Sequence, residues 1–258
     1  MYWLALEGQL GIPLANAEEI GGRGARYLES IAALNPLFSR WRPNAGRRHR
    51  SVVPSTLTWP PDQTEISNLV NEGTVFESRK GRKQHVGYFI SAVTRETDPY
   101  RVDFWLQVDF TEGAWWFSNR VGATFYTRSG DIWMALRRGG HDPVAFARRA
   151  LLDLGTIWDC DWAGAQGGDY SAKGSRPPNA PRLLRYKSGW MVYLDRAHAC
   201  CIGEANDVKV ERLANGGVLF TTVADTMIDG GNADHMAAAR RLQTALYPLN
   251  ESDAGGDR

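Results

Sequence analysis

The chain has 258 residues, 43% of them hydrophobic and 23% charged, which is enough to bury a large core in one large domain or two small ones. Thirty basic and 29 acidic side chains leave a formal net charge of +1. That balance argues against a dedicated nucleic-acid binder, which carries a basic excess, and against a global acidic mimic of DNA.

Trp3 to Glu7 reads as a short first strand ended by Gly8. Asn16 then opens a helix as N-cap, with Glu19 three residues on to complete a capping box. Ile20, Gly24, Tyr27, Ile31 and Leu34 recur on one face, while Arg26, Glu29 and Ser30 fall away from it. Gly21, Gly22 and Gly24 each cost about 1 kcal/mol inside a helix, which makes sense if another backbone packs closely there. Asn35-Pro36 stops the helix, and Leu37 to Trp41 follows as an apolar anchor. Arg42 to Arg50 and Arg79 to Lys83 are basic loops, read as solvated because no aromatic platform interleaves their charges. Between them, Pro60-Pro61 opens a short helix through Ile66, Leu69 and Val70, closed by Gly73.

From Gln84 onward the period becomes that of strands. His85 to Thr94 leads through Asp98-Pro99 to Val102, Phe104, Leu106, Val108 and Phe110, which alternate with polar or amphipathic residues. Strands are also expected at Trp115 to Ser118, Gly122 to Arg128 and Ile132 to Leu136. Asp142-Pro143 starts a helix expected to stop at Gly155. Thr156 to Trp162 reads as a strand, 164–181 as a long exposed loop, and Ser188 to Asp195 as another strand. Val208 to Leu213 and Val218 to Val223 form a hairpin across Asn215-Gly216-Gly217. A last helix carries Met236, Ala239, Leu242 and Leu246 and is expected to end at Pro248. The pattern predicts an α+β fold, a largely antiparallel β-sheet with about three main helices packed on it. Residues 1–249 form a single domain in this reading and 250–258 a disordered C-terminal tail.

The opening Tyr2-Trp3, the helix ending in Leu34-Asn35-Pro36-Leu37-Phe38, Trp41, the Gly87-Tyr88 strand after a basic loop, and the Asn-Gly-Gly hairpin before an alanine-rich helix together carry a likeness. Through them the chain resembles the bacterial immunity protein 52 family, across most of its length but patchily between about Gly113 and Lys187. The resemblance implies a protein that binds and neutralises a polymorphic or type VI-secreted toxin, one that looks like a restriction-endonuclease-like nuclease. It implies no enzymatic activity, no cofactor, no direct nucleic-acid contact and a bacterial cytoplasmic location.

The residues agree with that in several ways. Ten tryptophans are many for this length, and protein-binding surfaces carry such a surplus. Cys160, Cys200 and Cys201 are odd in number, and adjacent cysteines do not reach ordinary disulfide geometry, so a reducing compartment is the simplest reading. The N-terminus lacks a basic n-region, and no stretch approaches the length of a membrane span. Phosphate-binding, dinucleotide, zinc-protease and serine-hydrolase motifs are absent.

Three weaker constellations remain. Asp159 and Asp161, if on one strand, share a face and could hold a cation, or they are simply an exposed face beside Trp158 and Trp162. His198 with Cys200 and Cys201 offers soft ligands, but nothing completes a zinc site. Asp195 with Asp207 and Lys209 resembles a nuclease metal core, which gives an alternative function as a metal-dependent hydrolase. Between Arg149 and Lys173 there is no cation, whereas Asp153, Asp159, Asp161 and Asp169 all fall there, so an acidic, Trp-flanked surface complementary to a basic cleft is one expectation. Charge and exposure pattern select Asp109, Glu112, Trp115, Trp116, Asp159, Asp161, Asp169 and Tyr170 as partner-binding candidates.

Overall fold

A computed structural model describes residues 3–11, 16–39, 41–43, 57, 60, 62–72, 74–79, 82–94, 100–109, 119–127, 131–167, 184–202, 205 and 207–254. The fold is α+β. Among the described residues ten strands form one sheet: β1 (Leu4–Leu10), β2 (Trp41–Pro43), β3 (Thr74–Arg79), β4 (Arg82–Thr94), β5 (Tyr100–Asp109), β6 (Arg120–Thr127), β7 (Cys160–Gly167), β8 (Met191–Leu194), β9 (Lys209–Arg212) and β10 (Val218–Thr221). The order is β2-β4-β5-β6-β1-β7-β8-β10-β9, with β3 also pairing β4, and every pairing is antiparallel. The first strand therefore lies inside the sheet, between β6 and β7.

Six α-helices stand among the described residues rather than about three: α1 (Ala17–Leu34), α2 (Gln63–Glu72), α3 (Ile132–Arg138), α4 (Pro143–Ile157), α5 (Arg196–Ala199) and α6 (Ala233–Ala254). Asn16 caps α1 by accepting from the Glu18 N–H at 2.8 Å, and Glu19 pairs with Arg23 instead of closing a capping box. The α1 glycines do meet a neighbouring backbone. A Cβ on Gly21 would lie 2.8 Å from Ser67 N and 2.9 Å from Gln63 O on α2.

Alternation along β8 and β10 divides the packing between two sides. Met191, Tyr193 and Leu219 join the main core with Leu28 and Ile31 of α1 and Ala150, Leu151 and Leu154 of α4. Val192, Leu194, Val218 and Phe220 meet Trp162 and the α6 residues Leu242, Leu246 and Leu249. After α1, Phe38 inserts between Phe125 and Phe146, with ring centroids 5.7 and 5.9 Å away, and Trp41 is fully buried, so the apolar anchor is core.

Several local expectations are corrected. Gly8 does not end β1, which runs on to Leu10, and the strand expected over Thr156 to Trp162 begins only at Cys160 because Thr156 and Ile157 belong to α4. Ile132 to Leu136 is helix, because Asp131 caps it by accepting from Met134 N, and Arg137 and Arg138 favour its C-terminus. Gly155 does not stop α4. It is the point of contact with Tyr193, whose ring carbon would sit 2.6 Å from an added Cβ. Pro248 lies inside α6, because Leu249 and Asn250 are buried and hold the chain in place beyond it. The expected strand at Trp115 to Ser118 lies outside the described residues. Of the long loop expected over 164–181, residues 164–167 are instead the end of β7, paired with β1, and 168–181 lie outside the described residues.

Candidate functional site

The turn from α4 into β7 places Asp159 and Asp161 differently. Asp159 follows the end of α4 at φ 47°, its side chain 75% exposed, and its carboxylate takes Arg23 of α1 at 2.7 Å. Asp161 lies within β7, and its carboxylate pairs with the Arg185 guanidinium, both side chains largely shielded from water. The two aspartates thus do not share one strand face as the sequence suggested. Trp158 and Trp162, expected to flank an acidic surface, are buried core residues. Asp153 pairs with Arg149. Each of these three carboxylates has a guanidinium brought to it.

Around Asp161 a polar cluster closes at the end of β8. Asp195 caps α5, accepting from the His198 backbone N–H at 2.8 Å and facing ring Nδ1 at 2.6 Å. Hydrogen bonding to Asp195 raises the His198 pKa above its usual value, although burial opposes it. For Asp195, burial pushes the carboxyl up, but the His198 side-chain and backbone hydrogen bonds outweigh it and the net shift is downward. Tyr186 lies under both partners, its ring 5.4 Å from that of His198 and 5.2 Å below the Arg185 guanidinium. Ligand atoms of Asp161, Asp195 and His198 fall within 4.8 Å of one another. Arg185 already sits on Asp161 and the imidazole on Asp195, so the charges balance from within and a cation would have to displace them.

Asp207 and Lys209 are not brought to this cluster. β10 lies between β8 and β9, and Lys209 is level with Thr221 and Met191, at the end of β8 opposite Asp195. Four residues along and two strands across put them roughly 13 and 10 Å apart in the two directions. Asp207 is exposed, at φ 62°, and faces Arg241 at 3.8 Å.

A second feature adjoins Asp159. An open groove of about 550 Å³ runs along the outer face of α1 and is lined by Glu18, Glu19, Arg23, Arg26, Glu29 and Gln63. Arg23 sits between Glu19 at 2.9 Å and Asp159 at 2.7 Å. With Asp159, four carboxylates face two guanidiniums, so the groove leans acidic by two charges. Among the partner-binding candidates, Asp159 borders this groove and Asp161 belongs to the closed cluster. Glu112, Trp115, Trp116, Asp169 and Tyr170, and the side chain of Asp109, lie outside what the structure describes.

Sequence reasoning missed Arg23, Arg185 and the groove, because their partners are 136 and 24 residues away along the chain. The Asp195–His198 contact had a readable signal, an aspartate three residues before a histidine at a helix start.

No protein-family model matches the chain, and no curated protein matches it. Among solved structures it is similar to Pseudomonas aeruginosa T6SS protein PA0821, with a TM-score of 0.57 over 97% of this chain and 73% of that one, at 10% sequence identity. The two share a fold. No helix among the described residues is long and apolar enough to cross a membrane.

Proposed function

We propose that this protein is an immunity protein that binds a cognate bacterial toxin stoichiometrically and silences it without chemistry of its own. The likeness of its fold to a T6SS protein over nearly the whole chain carries the reading, beside the sequence resemblance to the immunity protein 52 family. From that resemblance the toxin is a nuclease of restriction-endonuclease-like type, inhibited in the bacterial cytoplasm.

The α1 groove with Asp159 is the surface that best suits such a partner. It is open and acidic in balance, and its exposed Arg26 can exchange partners across an interface. Protection of a resident cell demands sub-nanomolar affinity, about −12 kcal/mol or better, which an interface of roughly 1,600 Å² can supply.

The test is co-purification with the C-terminal domain of the toxin-like protein encoded beside this one, followed by calorimetry and a nuclease assay of the mixture. Tight one-to-one binding that abolishes cleavage is expected. The competing reading, a metal-dependent hydrolase using Asp195, Asp207 and Lys209, predicts Mg²⁺-dependent cleavage by this chain alone. The separation of Asp195 from Lys209 across β10 weighs against it.

A further inference from the structure

Cys200 and Cys201 follow α5, and both are exposed and free. Their sulfurs lie 3.5 Å apart. The Ala197 carbonyl accepts from both thiols, at 3.0 Å from Cys200 and 3.5 Å from Cys201, and so turns the two sulfurs toward one point. Nothing in the proposed toxin inhibition uses them.

A disulfide fits this geometry poorly. Consecutive Cα atoms stand about 3.8 Å apart, below the window of about 4.4–6.8 Å that bridged cysteines occupy. Chelation of one ion fits it well. Two metal–sulfur bonds of about 2.3 Å closing on sulfurs 3.5 Å apart subtend about 100°, near the tetrahedral angle of zinc-group sites.

We propose that Cys200 and Cys201 form a bidentate site for a thiophilic divalent cation of the zinc group. Binding replaces two S–H bonds with two metal–sulfur bonds and releases two protons to solvent, with no change of oxidation state. Water completes the coordination. Because a thiol must give up its proton to become a ligand, binding strengthens as pH rises.

The experiment is titration of the reduced full chain with Cd²⁺, followed by the sulfur-to-cadmium charge-transfer band in the ultraviolet. One Cd²⁺ per chain is expected. Because the second thiolate binds intramolecularly, Cys200→Ser and Cys201→Ser are each expected to weaken binding on the order of 100-fold. Cys160 is buried, so Cys160→Ser leaves the titration unchanged. Two-proton release makes the affinity climb up to about 100-fold per pH unit below the thiol pKa values. Two cadmium ions per chain with each single variant losing one, a one-proton slope, or a band that survives the double Cys200→Ser/Cys201→Ser change would each overturn the site. Unchanged thermal melting of the serine variants shows that any loss is of ligands and not of fold.

Discussion

Arg185 and Asp161 form an ion pair whose side chains are only 7% and 14% exposed, joining the segment before β8 to β7. Removing one member leaves the other charged and shielded, whereas removing both does not. Arg185→Met is expected to lower unfolding free energy by about 3 kcal/mol. The double variant Arg185→Met/Asp161→Asn recovers much of that loss. Urea unfolding of the two single variants and the double one measures the coupling directly.

Asp195 and His198 predict a pH window. The His198 pKa is raised in the folded state, so its contribution is fully present below about pH 6.5 and is lost as pH rises through the folded value. The Asp195 pKa is lowered, so its contribution is present above about pH 3.9 and is lost as pH falls through its folded value. The pair therefore stabilises most between about pH 3.9 and pH 6.5, and its contribution fades outside that window as each folded value is approached. Proton NMR titration of the His198 ring is expected to give a midpoint above 6.5, and Asp195→Asn should bring it down.

Asn250 holds the last turns of α6 against the segment before β8. Its side-chain oxygen accepts from Arg185 N at 2.9 Å and Tyr186 N at 3.0 Å, while its amide donates to Tyr186 O at 3.0 Å. Asn250→Ala leaves buried backbone groups without partners and is expected to cost about 1–3 kcal/mol. Hydrogen exchange at the Arg185 and Tyr186 amides should accelerate in the variant, and equal protection in both proteins would contradict this role.

Asp159 separates binding from stability. At φ 47° a non-glycine residue carries a backbone cost of roughly 1–2 kcal/mol, and the pair returns about 0–1 kcal/mol, because Asp159 is exposed and the more shielded Arg23 keeps Glu19 and the Ile157 carbonyl as partners. Asp159→Gly should therefore fold at least as stably as the parent. If the α1 groove meets the toxin, the same change slows association and flattens its salt dependence. Stopped-flow mixing at two ionic strengths reads this, and identical rates would move the interface elsewhere.

Much of the architecture was legible because periodicity and caps report local physics. The alternation of Val102, Phe104 and Leu106 announced β5, Asn16 announced α1, and Asn215-Gly216 announced the last hairpin, where Gly216 has φ 85°. The errors arose where one residue type serves two purposes. Gly155 resembles a helix stop but makes room for Tyr193, and Pro248 looks terminal although buried neighbours carry the helix past it. Ile132 to Leu136 is too short for its apolar run to distinguish strand from helix, and Asp131 decides it. The candidate site was less readable. An absence of cations between Arg149 and Lys173 correctly described the sequence and misdescribed the surface, because Arg23 and Arg185 arrive from outside that stretch.

The central place of β1 imposes an order on synthesis. Gln9 donates its side-chain amide to Asn119 O, 110 residues later, and Leu4 is in register with Gly167 on β7. At about 5–20 residues per second, a ribosome needs roughly 6–20 s after making β1 before β6 begins to emerge, and longer for β7. Throughout that interval a strand with two open edges is exposed to pairing with other nascent chains, so the newborn protein is at its most aggregation-prone before β6 arrives.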